Sequence, residues 1–257
     1  METILRLENV DKAFGGVIAA KDVSFSVQRG EIMGLIGPNG AGKTTLLNLI
    51  SGIYKCDGGN IYIGETNVTR MPSHNRPFLG LARTFQTPRF LQRSSIRDNL
   101  FLGTDLADKQ KYFKSFLGIK GHPFEQDLNE LMELAGFSFN WDDDILSIPY
   151  GQRKRLEIVR ALLTHPKVML VDEPAAGLNS AELEQVIGLL QFAAVERNVG
   201  VVLIEHRMDM VMNTCHNIVV LNFGVVIAHG EPDDISSNPE VIEAYLGRDE
   251  DAEDQQS

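Results

Sequence analysis

The sequence predicts an α/β fold organised around a largely parallel sheet. Short apolar runs rich in Val and Ile alternate with stretches of helical periodicity, the pattern of strands joined by crossover helices. Early in the chain the runs lie close together, separated by turn signals such as RGE at 29 and DGG at 57. Strands that near each other favour antiparallel pairing at the N-terminal edge of the sheet. From about 88 to 150 β-branched runs are sparse, and helical patterns take over.

Taken in order, strands are expected at 4–10, 23–27, 32–37, 60–64, 81–85, 168–172, 201–205, 218–222 and 225–230. Helical patterns cover 125–137, 152–163, with Leu156, Val159, Leu162 and Leu163 on one face, and 181–196. This divides residues 1–247 into a sheet core (1–87 and 165–247) and a helical lobe of about 88–164. The lobe reads either as an insertion between the two halves of the sheet or as covering helices with no separate identity. The end of the chain, 248–257, carries five acids (Asp249, Glu250, Asp251, Glu253, Asp254) against Arg248 and reads as a solvated, disordered tail.

Bulk properties exclude several classes. The 257 residues carry a formal net charge of −11, the wrong sign for a nucleic-acid binder. Cys56 and Cys215 show no metal-ligand or redox spacing, so idle thiols in a reducing compartment are expected, and no zinc. METILRLENV has no basic stretch leading into an apolar core, so no export signal is expected. Apolar runs such as 200–204 and 218–228 fall short of the ~20 residues that span a bilayer. Any membrane role is therefore expected to run through a partner.

The chemistry begins at Gly37-Pro38-Asn39-Gly40-Ala41-Gly42-Lys43-Thr44-Thr45, which matches G-x-x-x-x-G-K-[ST] between an apolar strand and a helical run. Glycines let backbone N–H groups turn inward around phosphates, and the helix start adds partial positive charge. Lys43 reaches the β- and γ-phosphates, and the Thr44 hydroxyl suits Mg²⁺. A second element, VMLVDEP at 168–174, is an apolar strand that ends in Asp172 and Glu173. It delivers two carboxylates to the edge of the sheet where ligands bind in open α/β folds. Asp172 is expected to hold Mg²⁺, directly or through water, and Glu173 to polarise the attacking water. Gln86 ends one strand, and its neutral amide can bind Mg²⁺ or orient a water. His206 follows another strand, and its imidazole can donate to a γ-phosphate. Phe14 precedes a Gly-Gly pair and either stacks on adenine or packs at a strand end.

These residues, in this order and spacing, resemble the ATP-binding subunits of ABC transporters. The resemblance rests on GPNGAGKTT, TFQ at 84–86, IPYGQ at 148–152, VMLVDEP, AAGLN at 175–179 and IEH at 204–206. Within that family the chain is similar to the subunits that serve branched-chain amino acid uptake, through FGG at 14–16, RTFQTPRFL at 83–91, YGQRKRLEIVRAL at 150–162, DEPAAGLN at 172–179, IEHRMDMVM at 204–212 and NPEVIEAYLG at 238–247. Urea, other amino-acid or amide, and lipopolysaccharide-export subunits share parts of the pattern, so the solute stays open.

The resemblance implies a P-loop ATPase whose dimer is head-to-tail, with a second copy or a paralogue. Each ATP then lies between one chain's loop at Gly37 and the other chain's segment Tyr150, Gly151 and Gln152. It implies permease subunits as partners, residues 87–100 cupping a short helix of the permease, an external solute-binding protein acting indirectly, and a peripheral place on the cytoplasmic face of the membrane. Two departures stand out. The family's usual signature serine is Pro149 here, which has neither hydroxyl nor N–H. The usual Asp after the Asp-Glu strand is Asn179. Two other readings are a soluble ABC ATPase, which usually carries paired cassettes or long heptad arms, and a non-catalytic assembly partner, which Lys43, Asp172, Glu173 and His206 argue against.

Overall fold

The computed structural model describes residues 2–107, 123–136 and 140–245. The acidic tail expected at 248–257 and part of the lobe lie outside them. Two sheets organise the described residues. One is antiparallel, in the order β2-β1-β4-β5: β1 (Thr3–Phe14), β2 (Val17–Gln28), β4 (Gly58–Ile63) and β5 (Thr66–Asn67). The other has the order β10-β9-β3-β8-β7-β6: β3 (Ile32–Ile36), β6 (Leu81–Arg83), β7 (Val168–Asp172), β8 (Gly200–Ile204), β9 (Asn217–Asn222) and β10 (Val225–Gly230). Pairing is parallel from β9 to β6, and only β10 is antiparallel.

Antiparallel pairing of the early strands is as expected, but it forms a sheet of its own. The first hairpin is also longer than the sequence reading, which placed no strand over 11–22. Gly15 and Gly16 both take positive φ (52° and 90°), the two-residue turn whose twist lets strands pair up to Phe14 and Val17.

The parallel strands alternate between two cores, because successive side chains leave opposite faces. Met33, Leu35, Val168, Leu170, Val202, Ile204, Val219 and Leu221 face the antiparallel sheet across α1 (Lys43–Ile50). Ile32, Ile36, Met169, Val171, Val201, Leu203, Ile218 and Val220 face helices on the other side. Those helices include α2 (Ile96–Ala107), α3 (Pro123–Leu134), α4 (Tyr150–Leu162) and α5 (Ser180–Val195), and one continuous core joins the lobe to the sheet.

α1 is held between the two sheets, with Leu46, Leu47, Leu49 and Ile50 fully buried. Burying each such side chain is worth roughly 1.5–3 kcal/mol. Main-chain amides after the helix reach the carbonyls of Leu47, Asn48 and Leu49, and Ile50 O needs another donor. The fully buried Arg76 supplies it, donating to Ile50 O at 2.6 Å and adding a second bond to Leu49 O at 2.7 Å. Cys215 is buried and its thiol is pushed up to about 12 by that burial, so it is inert at neutral pH.

Candidate nucleotide site

The loop after β3 is shaped by glycines that no other residue can replace. Gly37 has φ 145°, and a Cβ there would sit 2.0 Å from Leu221 O. Gly42 is the N-cap of α1 at φ 108°, and a Cβ would sit 2.2 Å from Ala19 O. Ala41 N donates to Pro38 O, and Gly224 N donates to Ala41 O, which pins the loop to the β9–β10 turn. The loop 37–42 and the first turn of α1 thus form a fixed cradle of backbone N–H groups, suited to an anion. Lys43 is buried and folds back over the loop, with Nζ donating to Gly37 O at 2.6 Å and Pro38 O at 3.0 Å. Thr44 is exposed and Thr45 half-buried beside it, at the start of α1.

Asp172 closes β7, paired with Ile204 of β8, and is buried. Burial pushes its carboxyl up, and Arg83 on β6, with Nη2 3.5 Å from Oδ2, pulls it back down. Arg83 is itself placed by Asn48 Oδ1 (2.8 Å) and Ser51 Oγ (2.7 Å) at the end of α1.

Glu173 is brought together with two other expected residues. Its Oε2 accepts from Gln86 Nε2 at 2.7 Å, and its Oε1 lies 3.1 Å from His206 Nε2. A carboxylate only accepts, so Nε2 is the protonated nitrogen of His206 in this contact. The Glu173 backbone is strained at φ 46°. Its N–H is tied to Ile204 O at 2.9 Å and its C=O to Lys154 Nζ at 2.5 Å. Such a conformation costs on the order of 1–3 kcal/mol and persists where the surroundings enforce it.

Pro149 caps α4, so its missing N–H falls where no helical bond would form. Tyr150 Oη donates to Gln86 O at 3.2 Å. Gly151 is buried, and a Cβ there would meet Glu182 Oε1 at 2.3 Å. Gln152 is half-buried in the same turn. Asn179 is the N-cap of α5 in a full capping box with Glu182, a role the usual Asp fills equally well. Phe14 stands apart at the hairpin tip, 43% exposed, edge-on to Tyr54 at 5.2 Å and under the Lys12 ammonium.

Four contributors escaped the sequence reading. Arg83 and Lys154 are described above. Glu157 is buried on α4 and accepts from Phe85 N (3.4 Å) and Arg89 N (3.3 Å), on either side of Gln86. Burial raises its carboxyl, against the pull of those amides and of Arg160. Tyr245, in the helical residues 239–245, lies beside the loop, its phenol pushed up by burial and drawn back by the Gly37 main chain. Arg83 and Glu157 interrupt short apolar runs, whereas Lys154 sits in the polar run Gln152-Arg153-Lys154-Arg155 and carries no such signal. Glu157 and Arg160 also line a groove of about 460 Å³ with Phe85, Leu102, Ala161 and His74.

The chain is similar to known proteins along almost its whole length. Residues 20–176 match the family described as ABC transporter, and residues 225–251 match the family described as branched-chain amino acid ATP-binding cassette transporter. The high-affinity branched-chain amino acid transport ATP-binding protein BraF of Pseudomonas aeruginosa is 36% identical, over 95% of this chain and 98% of that protein. LivG of Salmonella typhimurium, which carries the same description, is 35% identical over 96% of this chain and 98% of its own length. Among solved structures, the ADP conformation of MJ1267, an ATP-binding cassette of an ABC transporter, superposes with a TM-score of 0.81 at 32% identity, covering 96% of this chain and all of that one.

Proposed function

The chain belongs to the ABC transporter family as an ATP-binding, ATP-hydrolysing subunit, and on that premise we propose that it energises uptake of branched-chain amino acids. The observation that carries the catalytic part is the contact set in which Gln86, Glu173 and His206 meet at the edge of the parallel sheet. The solute rests on what the relatives are described as transporting.

In this reading the loop amides of Asn39, Gly40, Ala41 and Gly42 and the start of α1 bind the phosphates of ATP. Lys43 exchanges its loop carbonyls for the β- and γ-oxygens, and the exposed Phe14 ring stacks on adenine. Glu173 polarises the attacking water, and His206 donates to the γ-phosphate. Thr44, Gln86 and Asp172 offer only oxygen donors to a cation, a set that fits Mg²⁺. When bound, that ion neutralises phosphate charge. Burial pushes the Asp172 carboxyl up, and Arg83 opposes that push in favour of the anionic form such an ion requires.

A second cassette, a copy or a paralogue, completes each site with its Tyr150, Gly151 and Gln152. ATP closes this head-to-tail pair and hydrolysis reopens it. The groove beside Phe85 and Glu157 seats a short helix of a permease subunit. No helix among the described residues is long and apolar enough to cross a membrane. In this reading the cassette sits on the cytoplasmic face, held there by its permease partners, and meets the external solute-binding protein only through them.

The test is reconstitution with the permease subunits in vesicles, measuring ATP-dependent uptake of labelled leucine, isoleucine and valine, with urea as comparator. Lys43→Ala is expected to abolish uptake by loss of ATP affinity, read by calorimetry. Uptake of urea in place of leucine would reassign the solute. Uptake indifferent to ATP would overturn the energising role.

A further inference from the structure

Lys154 is almost fully buried, which is rare for a lysine without a dedicated partner. Its partner is a main-chain atom of the site, the carbonyl oxygen of Glu173, 2.5 Å from Nζ. Four carboxylates, Glu205, Glu173, Glu157 and Asp172, act on its charge, while burial opposes it. The residue it holds is the strained one, with φ at 46°. A left-handed glutamate relaxes toward ordinary backbone angles unless something fixes both of its peptide groups. Ile204 O fixes the N–H side, and on the C=O side Lys154 at 2.5 Å is the close donor, with Ala176 N a longer second one at 3.4 Å.

The position of Lys154 adds a second link. It lies one helical turn beyond Tyr150 on α4, and Tyr150 Oη donates to the Gln86 carbonyl. One end of one helix therefore braces both Gln86 and Glu173.

From this geometry we infer that Lys154 is a positioning residue, which sets the Glu173 carboxylate by holding its main chain. The inference rests on the reading of Glu173 as the group that polarises water. A residue that acts only through Glu173 loses its effect once that carboxylate is gone, and a double-mutant cycle detects this.

The experiment measures kcat and KM for ATP in the full cassette assembled with its permease subunits, for wild type, Lys154→Met, Glu173→Gln and the double variant. Lys154→Met keeps the length and removes the donor. It is expected to lower kcat by ~10- to 100-fold, the scale of a small misplacement of a reacting group. KM for ATP is expected to change by less than about two-fold, because the phosphate cradle is untouched. In the Glu173→Gln background the same substitution is expected to change nothing further. Losses that multiply in the double variant would overturn the inference, as would wild-type kcat in Lys154→Met. If Lys154→Met does not fold, Lys154→Leu, shorter and without a donor, takes its place in the cycle, where multiplying losses or a wild-type kcat overturn the inference in the same way. Near-normal turnover in Glu173→Gln alone would instead remove the premise, an outcome distinct from either.

Discussion

Gln86 and Glu173, 87 residues apart, share a 2.7 Å hydrogen bond from the amide nitrogen to the carboxylate. The neighbouring strands β6 and β7 make this contact, since each residue follows the end of its strand. Glu173→Gln leaves the loop at Gly37 intact, so ATP binding measured by calorimetry is expected to stay near wild type. Hydrolysis is expected to fall by ~10²–10⁴-fold, the contribution of a positioned general base. The ATP-bound pair is then expected to accumulate as a dimer in gel filtration.

The two glycines Gly37 and Gly188 predict opposite outcomes for the same substitution. Gly37→Ala drives a Cβ to 2.0 Å from a backbone carbonyl at a φ few side chains tolerate. A loss on the order of 3 kcal/mol is expected, with ATP binding abolished. Gly188 lies in α5 with open space where a Cβ would go. Gly188→Ala is expected to raise stability by about 0.5–1 kcal/mol. Thermal denaturation of both variants decides.

Arg83→Gln tests the charge balance at Asp172. Burial and the Glu173 charge raise this carboxyl and Arg83 is the main group lowering it, so removing Arg83 leaves the upward push opposed only by Lys154. A higher pKa means the carboxylate ionises only at higher pH. The acidic limb of the pH profile of kcat/KM is expected to move toward alkaline pH. Leaving one partner of this buried pair uncompensated is also expected to cost ~3–5 kcal/mol, seen as a lower Tm.

Phe14→Ala bears on adenine recognition. Stacking of a base on an aromatic ring contributes about 1–3 kcal/mol. The variant is expected to bind ATP roughly five- to 150-fold more weakly by calorimetry, with saturated turnover little changed. An unchanged affinity would assign Phe14 to packing against Tyr54.

Much of this arrangement was legible in the sequence. Strands buried on both faces leave short apolar runs, so 32–37, 168–172 and 201–205 stood out, within a residue of the strands formed, and Asp172, Glu173 and His206 fell at strand ends by counting alone. What could not be read was anything set by contacts between distant segments. Lys154, Arg83 and Glu157 are charged residues, and charge in an amphipathic pattern reads as a solvated face. Their burial comes from neighbours such as Glu173 and Phe85, brought close only when the sheet and α4 assemble. Arg76 escaped for the same reason, since its partners are the carbonyls of a helix 26 residues earlier.

The placement of α1 between the two sheets bears on how occupancy of the loop is communicated. A helix packed on both flanks has nowhere to shift, so bound phosphate cannot be signalled by displacing it. Movement has to originate at the rim, in the segment after β6, whose backbone hangs on Glu157 and Tyr150 through single hydrogen bonds. Native-state deuterium uptake would then be slowest in α1, opening only with the whole domain, and fastest around Gln86, where local opening suffices.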